Sequence, residues 1–178
     1  MRSSLKRRSA VLALVVAGAV VGLLWQRAQA EGDWWLERRL SSLIRDSGPR
    51  TFSVSAATGF DWDTMYVFTP YTENHEVERR IGRSWPTAHS VDIEMRDGVV
   101  LLVFLNSGDV VAHVAQPRRP GDFSEVPTTV AYTRETALFR VKPRNNWPYL
   151  EAVHPSLQAA QRAIDQKTRP SGRTGRAN

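Results

Sequence analysis

VDIEMRDGVVLLVFLNSGDVVAHVA, residues 91–115, is the stretch that decides the fold. Val91, Ile93 and Met95 alternate with Asp92, Glu94 and Arg96, the period-two pattern of a strand with one wet face. Asp97-Gly98 follows, a dipeptide that supplies the positive φ angles of a tight hairpin turn. Val99 to Leu105 is a run of seven apolar residues, too short for an ordinary helix and rich in β-branched types. Such a run reads as a strand buried on both faces. Asn106-Ser107-Gly108-Asp109 turns the chain again, and Val110 to Ala115 returns. These residues predict an antiparallel meander of three strands, and a central strand that is apolar on both sides requires cover above and below.

The flanks supply that cover. Asp33 is placed to cap a helix whose Trp35, Leu36, Leu40, Leu43 and Ile44 fall on one side, with Ser47-Gly48-Pro49 ending it. Residues 51–57 alternate as a half-buried strand, and Thr64 to Thr69 reads as another, closed by Pro70. Thr72 is a candidate cap for a short helix with Glu73 and Glu76 in its first turn, Val77 and Ile81 inward and Gly82 at its end. Residues 117–129 form a Pro- and Arg-rich loop. Thr136 to Val141 is a last strand, residues 143–155 are irregular, and Ser156 opens a helix running to about Lys167 before a basic, disordered end. The expected class is α+β: an antiparallel sheet packed by N-terminal and short central helices, in a single domain over residues 31–155.

The first thirty residues are read separately. Arg2, Lys6, Arg7 and Arg8 precede Ala10 to Trp25, 16 residues without a charge, and Ala28-Gln29-Ala30 follows. Small residues at Ala28 and Ala30 suit cleavage before Glu31, as in a secretory leader. The apolar run is somewhat shorter than the about 20 residues of a spanning helix, and an uncleaved anchor is the alternative. Both readings export the rest of the chain, to the periplasm or beyond, or tethered to the inner membrane by one N-terminal anchor. Removing this segment changes the meaning of the charge. The chain of 178 residues carries a net charge of +6, but residues 31–178 hold 19 Lys and Arg against 18 Asp and Glu. The remaining basicity lies from Arg162 onward, so specific nucleic-acid binding is not expected of the folded part. There is no cysteine, which removes disulfides, thiolate metal sites and thiol nucleophiles.

Candidate site residues fall in two places. Asp61 and Asp63 flank Trp62. On a strand they would share a face about 6–7 Å apart, compatible with a divalent cation or an acid–base pair; in a turn, aspartates ordinarily accept backbone N–H bonds. Tyr71 follows closely. Arg118, Arg119 and Asp122 sit in the Pro-rich loop, where they suit an anion or an acidic partner surface, or simply a solvated turn. Trp34, Trp85, Trp147 and Tyr149 are candidates for an aromatic contact surface. His75, His89, His113 and His154 have no metal-ligand spacing. Serine-nucleophile and phosphate-loop patterns are absent. No cofactor and no metal is expected.

The run Trp62-Asp63-Thr64-Met65-Tyr66-Val67-Phe68-Thr69-Pro70-Tyr71-Thr72, followed later by Pro117-Arg118 and Gly121-Asp122-Phe123, resembles small exported bacterial proteins of unassigned function. These share a W-D-x-x-Y-h-F-x-P-Y-T segment, with h apolar, and a later P-R…G-D-F loop. The resemblance covers residues 52–141 and implies no chemistry. The order of helix and meander is similar to small envelope proteins of the β-lactamase-inhibitor type, an analogy of fold alone. The expected function is a non-catalytic binding module of the envelope, such as an inhibitor, an immunity protein or an assembly accessory, acting on an envelope protein or ligand. A small hydrolase or metal-dependent enzyme using Asp61 and Asp63 with His89 or His113 is the alternative. A weaker one is polyanion binding by the basic C-terminal segment.

Overall fold

A computed structural model describes residues 33–145 and 147–157. The leader, its cleavage residues Ala28 and Ala30, and the chain beyond Leu157 lie outside the described residues. Within them the order is α1 (Trp34–Ser47), β1 (Thr51–Ser53), β2 (Thr64–Phe68), α2 (Asn74–Ile81), α3 (Thr87–Val91), β3 (Val99–Asn106), β4 (Asp109–Pro117), β5 (Leu138–Lys142) and β6 (Tyr149–Ala152). Single 3-10 turns occupy Val54–Ala56, Ile93–Met95 and Phe123–Glu125. The fold is α+β with antiparallel sheets. Two sheets of three strands form, ordered β2-β3-β4 and β1-β5-β6. Among the described residues no helix is long and apolar enough to cross a membrane.

The run 99–105 takes the central position of its sheet, paired with β4 along its length and with β2 from Leu101 to Leu105. Because successive side chains of a strand point to opposite faces, it divides its side chains between two cores. Val100, Leu102 and Phe104 join Met65, Val67, Ala112 and Val114 in an inner core. Leu36, Leu40 and Ile44 of α1 and Phe52, Phe139 and Leu150 of the second sheet close this core. Leu101, Val103 and Leu105 face the other way, onto Phe68, Val77, Ile81, Trp85, Ala88, Val91 and Ile93. The inward residues of α1 recur four apart, one helical turn, which is why the helix lies along the sheet on a single stripe. At the far end, Leu157 also packs into the inner core.

Several local expectations are corrected. Residues 91–96 are not a strand. Val91 ends α3, Asp92 takes a left-handed conformation at φ 52°, and Ile93–Met95 is a 3-10 turn. Val91 and Ile93 are buried while Met95 is 74% exposed, so the alternation does not persist for a third residue. The place beside β3 belongs to β2, which pairs from Thr64 with Leu105 to Phe68 with Leu101. Asp97-Gly98 is therefore an entry to β3, not a hairpin turn. The strand expected at 51–57 stops at Ser53, whose hydroxyl accepts a hydrogen bond from the N–H of Ser55 and starts a 3-10 turn. Asp33 and Thr72 are not side-chain caps. The Asp33 carbonyl starts α1 without a side-chain cap, Glu73 precedes α2, and the Thr72 hydroxyl donates back to the carbonyl of Thr69. The irregular stretch 143–155 contains β6, a strand concealed by its flanking prolines.

The second turn of the meander is as expected. Asn106 pairs with Asp109 across Ser107 (φ 53°) and Gly108 (φ 83°). Both central residues are left-handed, as a two-residue hairpin requires to match strand twist.

Candidate functional site

The structure separates the candidate residues into three neighbourhoods. Asp61 and Asp63 flank a buried Trp62, whose indole N–H donates to the Thr58 hydroxyl at 3.0 Å and whose ring meets Phe104 edge-on. The Asp63 carboxylate accepts the backbone N–H of Ser107 at 2.6 Å, clasping the β3–β4 turn. That bond, with a second from the Thr64 side chain, holds its carboxyl below the usual range. Asp61 is almost fully exposed and lies 3.9 Å from the Arg134 guanidinium. His113 pairs with Val103, three residues along β3 from the turn, about 10 Å away, and its ring stands edge-on to Trp85. His89 Nδ1 instead lies 3.4 Å from the Asn74 side-chain amide. Among the described residues, no group of three or more acids and histidines is placed to hold a metal ion. The arrangement brings together no acid–base pair here; it brings together a turn and its clasp.

Tyr71 lies elsewhere, on the loop from β2 to α2, 63% exposed with φ 65°. Its N–H donates to the carbonyl of Ile93, tying that loop to the 3-10 turn that replaces the expected strand.

Arg118, Arg119 and Asp122 do converge, and they gather a residue from much later in the chain. Asp122 is buried, 1% exposed. Its Oδ2 accepts from Arg118 Nε at 2.8 Å and from the Trp147 indole N–H at 2.9 Å, and its Oδ1 accepts the Ser124 N–H at 2.8 Å. Burial pushes this carboxyl up, but the bonds from Arg118, Trp147 and Ser124 outweigh it and leave it below the usual carboxylate range. The charged form is the one the site is built for, because a desolvated carboxylate is tolerated only when its lone pairs are filled. The guanidiniums of Arg118 and Arg119 lie over the Trp147 ring, 5.2 and 4.7 Å from its centroid. Trp147 remains 39% exposed. At the edge of the cluster, Arg144 lies 4.3 Å from the Tyr149 ring centroid and pairs with Glu125 at 3.1 Å.

The backbone fixes this loop to the second sheet. The Asp122 N–H donates to the Pro148 carbonyl and the Leu150 N–H to the Asp122 carbonyl, a one-residue parallel bridge to β6. Gly121 allows the approach: a Cβ there would stand 2.9 Å from both Ile44 Cγ2 and Leu150 Cδ2. The peptide before Pro120 is cis. Two arginines are thus presented by a loop seated on the core, with an indole clasped against them.

Of the aromatic residues expected to share a surface, Trp147 and Tyr149 do. Trp85 is buried in the outer core, and Trp34 stands 67% exposed at the start of α1.

A further feature has no counterpart in the sequence reading. Arg80 of α2 donates to the main-chain carbonyls of Val67 at 3.2 Å and of Thr128, and its guanidinium lies 4.4 Å from the Phe68 ring centroid and 5.6 Å from that of Tyr66. Beside it opens a cavity of about 340 Å³ lined by Thr69, Thr72, Glu76, Arg79, Arg80, Thr128 and Thr129. No local motif announces it, since its walls come from three separated segments. Comparison with protein-family models, with curated proteins and with solved structures finds no match.

Proposed function

We propose that this chain is an exported, non-catalytic binding module of the cell envelope, and that its contact surface is the Arg118–Arg119–Trp147 face. The observation that carries the reading is the exposed indole held between a buried carboxylate and two guanidiniums. Tryptophan and arginine are enriched among the residues that carry most of the energy of protein contacts, and tryptophan buries a large area with only two side-chain torsions to freeze. Here the ring is already immobilised by its bond to Asp122, so less ordering entropy is lost on contact. The guanidiniums gathered on this face suit a partner surface bearing carboxylates. Export is supported by the leader-like first thirty residues.

The test uses a photo-crosslinking residue introduced in the producing cell at position 144, beside the face, and at position 61, exposed near the opposite end of β3. A discrete adduct of defined mass at 144, absent at 61, and reduced about tenfold or more by Arg119→Glu, is the expected result. Arg119→Glu must leave the thermal unfolding midpoint unchanged, which separates loss of contact from loss of fold. Equal labelling at both positions, or an adduct indifferent to Arg119→Glu, overturns the assignment of the face. The mass of the recovered protein addresses export: a chain beginning at Glu31, or an intact one in the membrane fraction, agrees with it. An intact chain in the cytosol does not.

A further inference from the structure

We infer that the cavity beside α2 is a binding site for a small monoanionic carboxylate that carries hydroxyl groups, the chemical class of a sugar acid. It lies apart from the Arg118–Trp147 face and shares no residue with it, so either assignment can fail alone.

The argument begins with charge. Glu76 and Arg79 both line the cavity, but they neutralise one another through two bonds of 2.7 and 2.6 Å. Arg80 is different. It forms no ion pair with a carboxylate among the described residues; its two hydrogen bonds go to the neutral carbonyls of Val67 and Thr128. A guanidinium has five N–H donors, so donors remain beyond those two. Burial against Phe68 and Tyr66 disfavours its charged form and so pushes its pKa down, while its position is fixed by the two carbonyls. Glu76 attracts Arg80 through space but is bonded to Arg79, so no carboxylate touches Arg80 among the described residues. A half-buried, immobilised cation of this kind at the wall of a cavity is poised to accept an anion, because the partner replaces hydration already partly lost.

The remaining walls narrow the class. Four of the seven lining residues, Thr69, Thr72, Thr128 and Thr129, are threonines. The Thr72 hydroxyl is committed to the Thr69 carbonyl at 2.8 Å, whereas a hydroxyl otherwise both donates and accepts. This lining suits a ligand with several hydroxyls. The Glu76 carboxylate, bonded on both oxygens by Arg79, still has lone pairs for a ligand O–H and repels a second negative charge. With one uncompensated cation and one carboxylate nearby, the site matches a monoanion better than a phosphate dianion. A volume of about 340 Å³ lies at the lower end of small-molecule pockets. The run from Tyr66 to Thr72 contributes Thr69 and Thr72 to the lining and, through Tyr66, Val67 and Phe68, the seat of Arg80, which gives it a purpose beyond strand pairing.

The test is titration of the ¹⁵N-labelled full chain with glucuronate, glucose and inorganic phosphate in parallel, read by amide and arginine Nε resonances. Expected are saturable shifts confined to Thr69, Arg80, Thr128, Thr129 and their neighbours with glucuronate. Glucose and phosphate should each bind about tenfold or more weakly. Arg80→Lys should weaken glucuronate about tenfold. Because Arg80 also bridges β2 to the 128 loop, Thr129→Val, an exposed wall substitution, serves as the second variant. It should weaken glucuronate about threefold or more with the rest of the spectrum unchanged. No saturable shift up to about 50 mM, glucose binding as well as glucuronate, phosphate binding more tightly, or Thr129→Val without effect would each overturn the inference.

Discussion

Asp122 shows what one buried carboxylate can organise. It is the single acceptor shared by Arg118, Trp147 and the Ser124 N–H. Asp122→Asn keeps the volume but removes the charge that Arg118 and the indole N–H are oriented to meet. Breaking one side of such a pair costs about 2–3 kcal/mol, given that Arg118 itself remains partly hydrated; urea unfolding at pH 7 measures it. The pH dependence has a definite sign. The folded carboxyl lies below its unfolded value of about 4, so its stabilisation is fully present above that value and is lost as pH falls through the folded one. Acid unfolding curves of the wild type and Asp122→Asn should therefore converge below about pH 4. Parallel curves throughout would show that Asp122 does not carry the effect. Gly121 beside it has an equally local reason, since the core atoms of Ile44 and Leu150 leave no room for a Cβ.

At the scale of elements, the β3–β4 hairpin is the best place to test how sequence writes structure. Ser107 occupies a left-handed position that asparagine adopts more readily. Ser107→Asn creates the Asn-Gly dipeptide favoured in such turns and should stabilise by on the order of 1 kcal/mol. A thermal midpoint that falls instead would show the Asp63 clasp to depend on more than the Ser107 N–H. What the residues disclosed follows from how local each signal is. Two-sided burial of Val99 to Leu105 was legible because it lies within one run, and the turn at 106–109 because its φ demands are met on the spot. Val91 and Ile93 misled because a helix end and a 3-10 turn can bury two residues spaced two apart as well as a strand does. β6 was hidden because four residues between prolines carry too little pattern. The site divided in the same way. Arg118, Arg119 and Asp122 were visible as a loop cluster, but Trp147 reaches them only through the Asp122 bridge to β6. Arg80 was one more charge on an amphipathic helix until Val67 and Thr128 closed around it.

For the molecule as a whole, the deciding arrangement is two cores separated by one sheet. Leu101 and Leu102 are adjacent and both fully buried, yet they belong to different cores. Leu101→Ala and Leu102→Ala should each cost about 2–5 kcal/mol, the range for cavities left by deleted leucine side chains. Each variant should still unfold in a single transition by fluorescence and circular dichroism. Two resolved transitions in either variant would mean that the outer helices and the inner core are separate cooperative units. Neither residue lines the cavity beside α2, but their cross-strand partners Phe68 and Val67 seat Arg80, so these two variants report on stability and not on ligand titration.

β3 carries one more consequence. From Leu101 to Leu105 its backbone is paired along both edges and its side chains are roofed on both sides, so no partial fraying exposes the amide hydrogens of this stretch to water. Proton exchange from these central amides must wait for the whole chain to open. The rates along residues 101–104 therefore form a built-in gauge of global stability in the native state, readable without denaturant and against which any bound ligand would register.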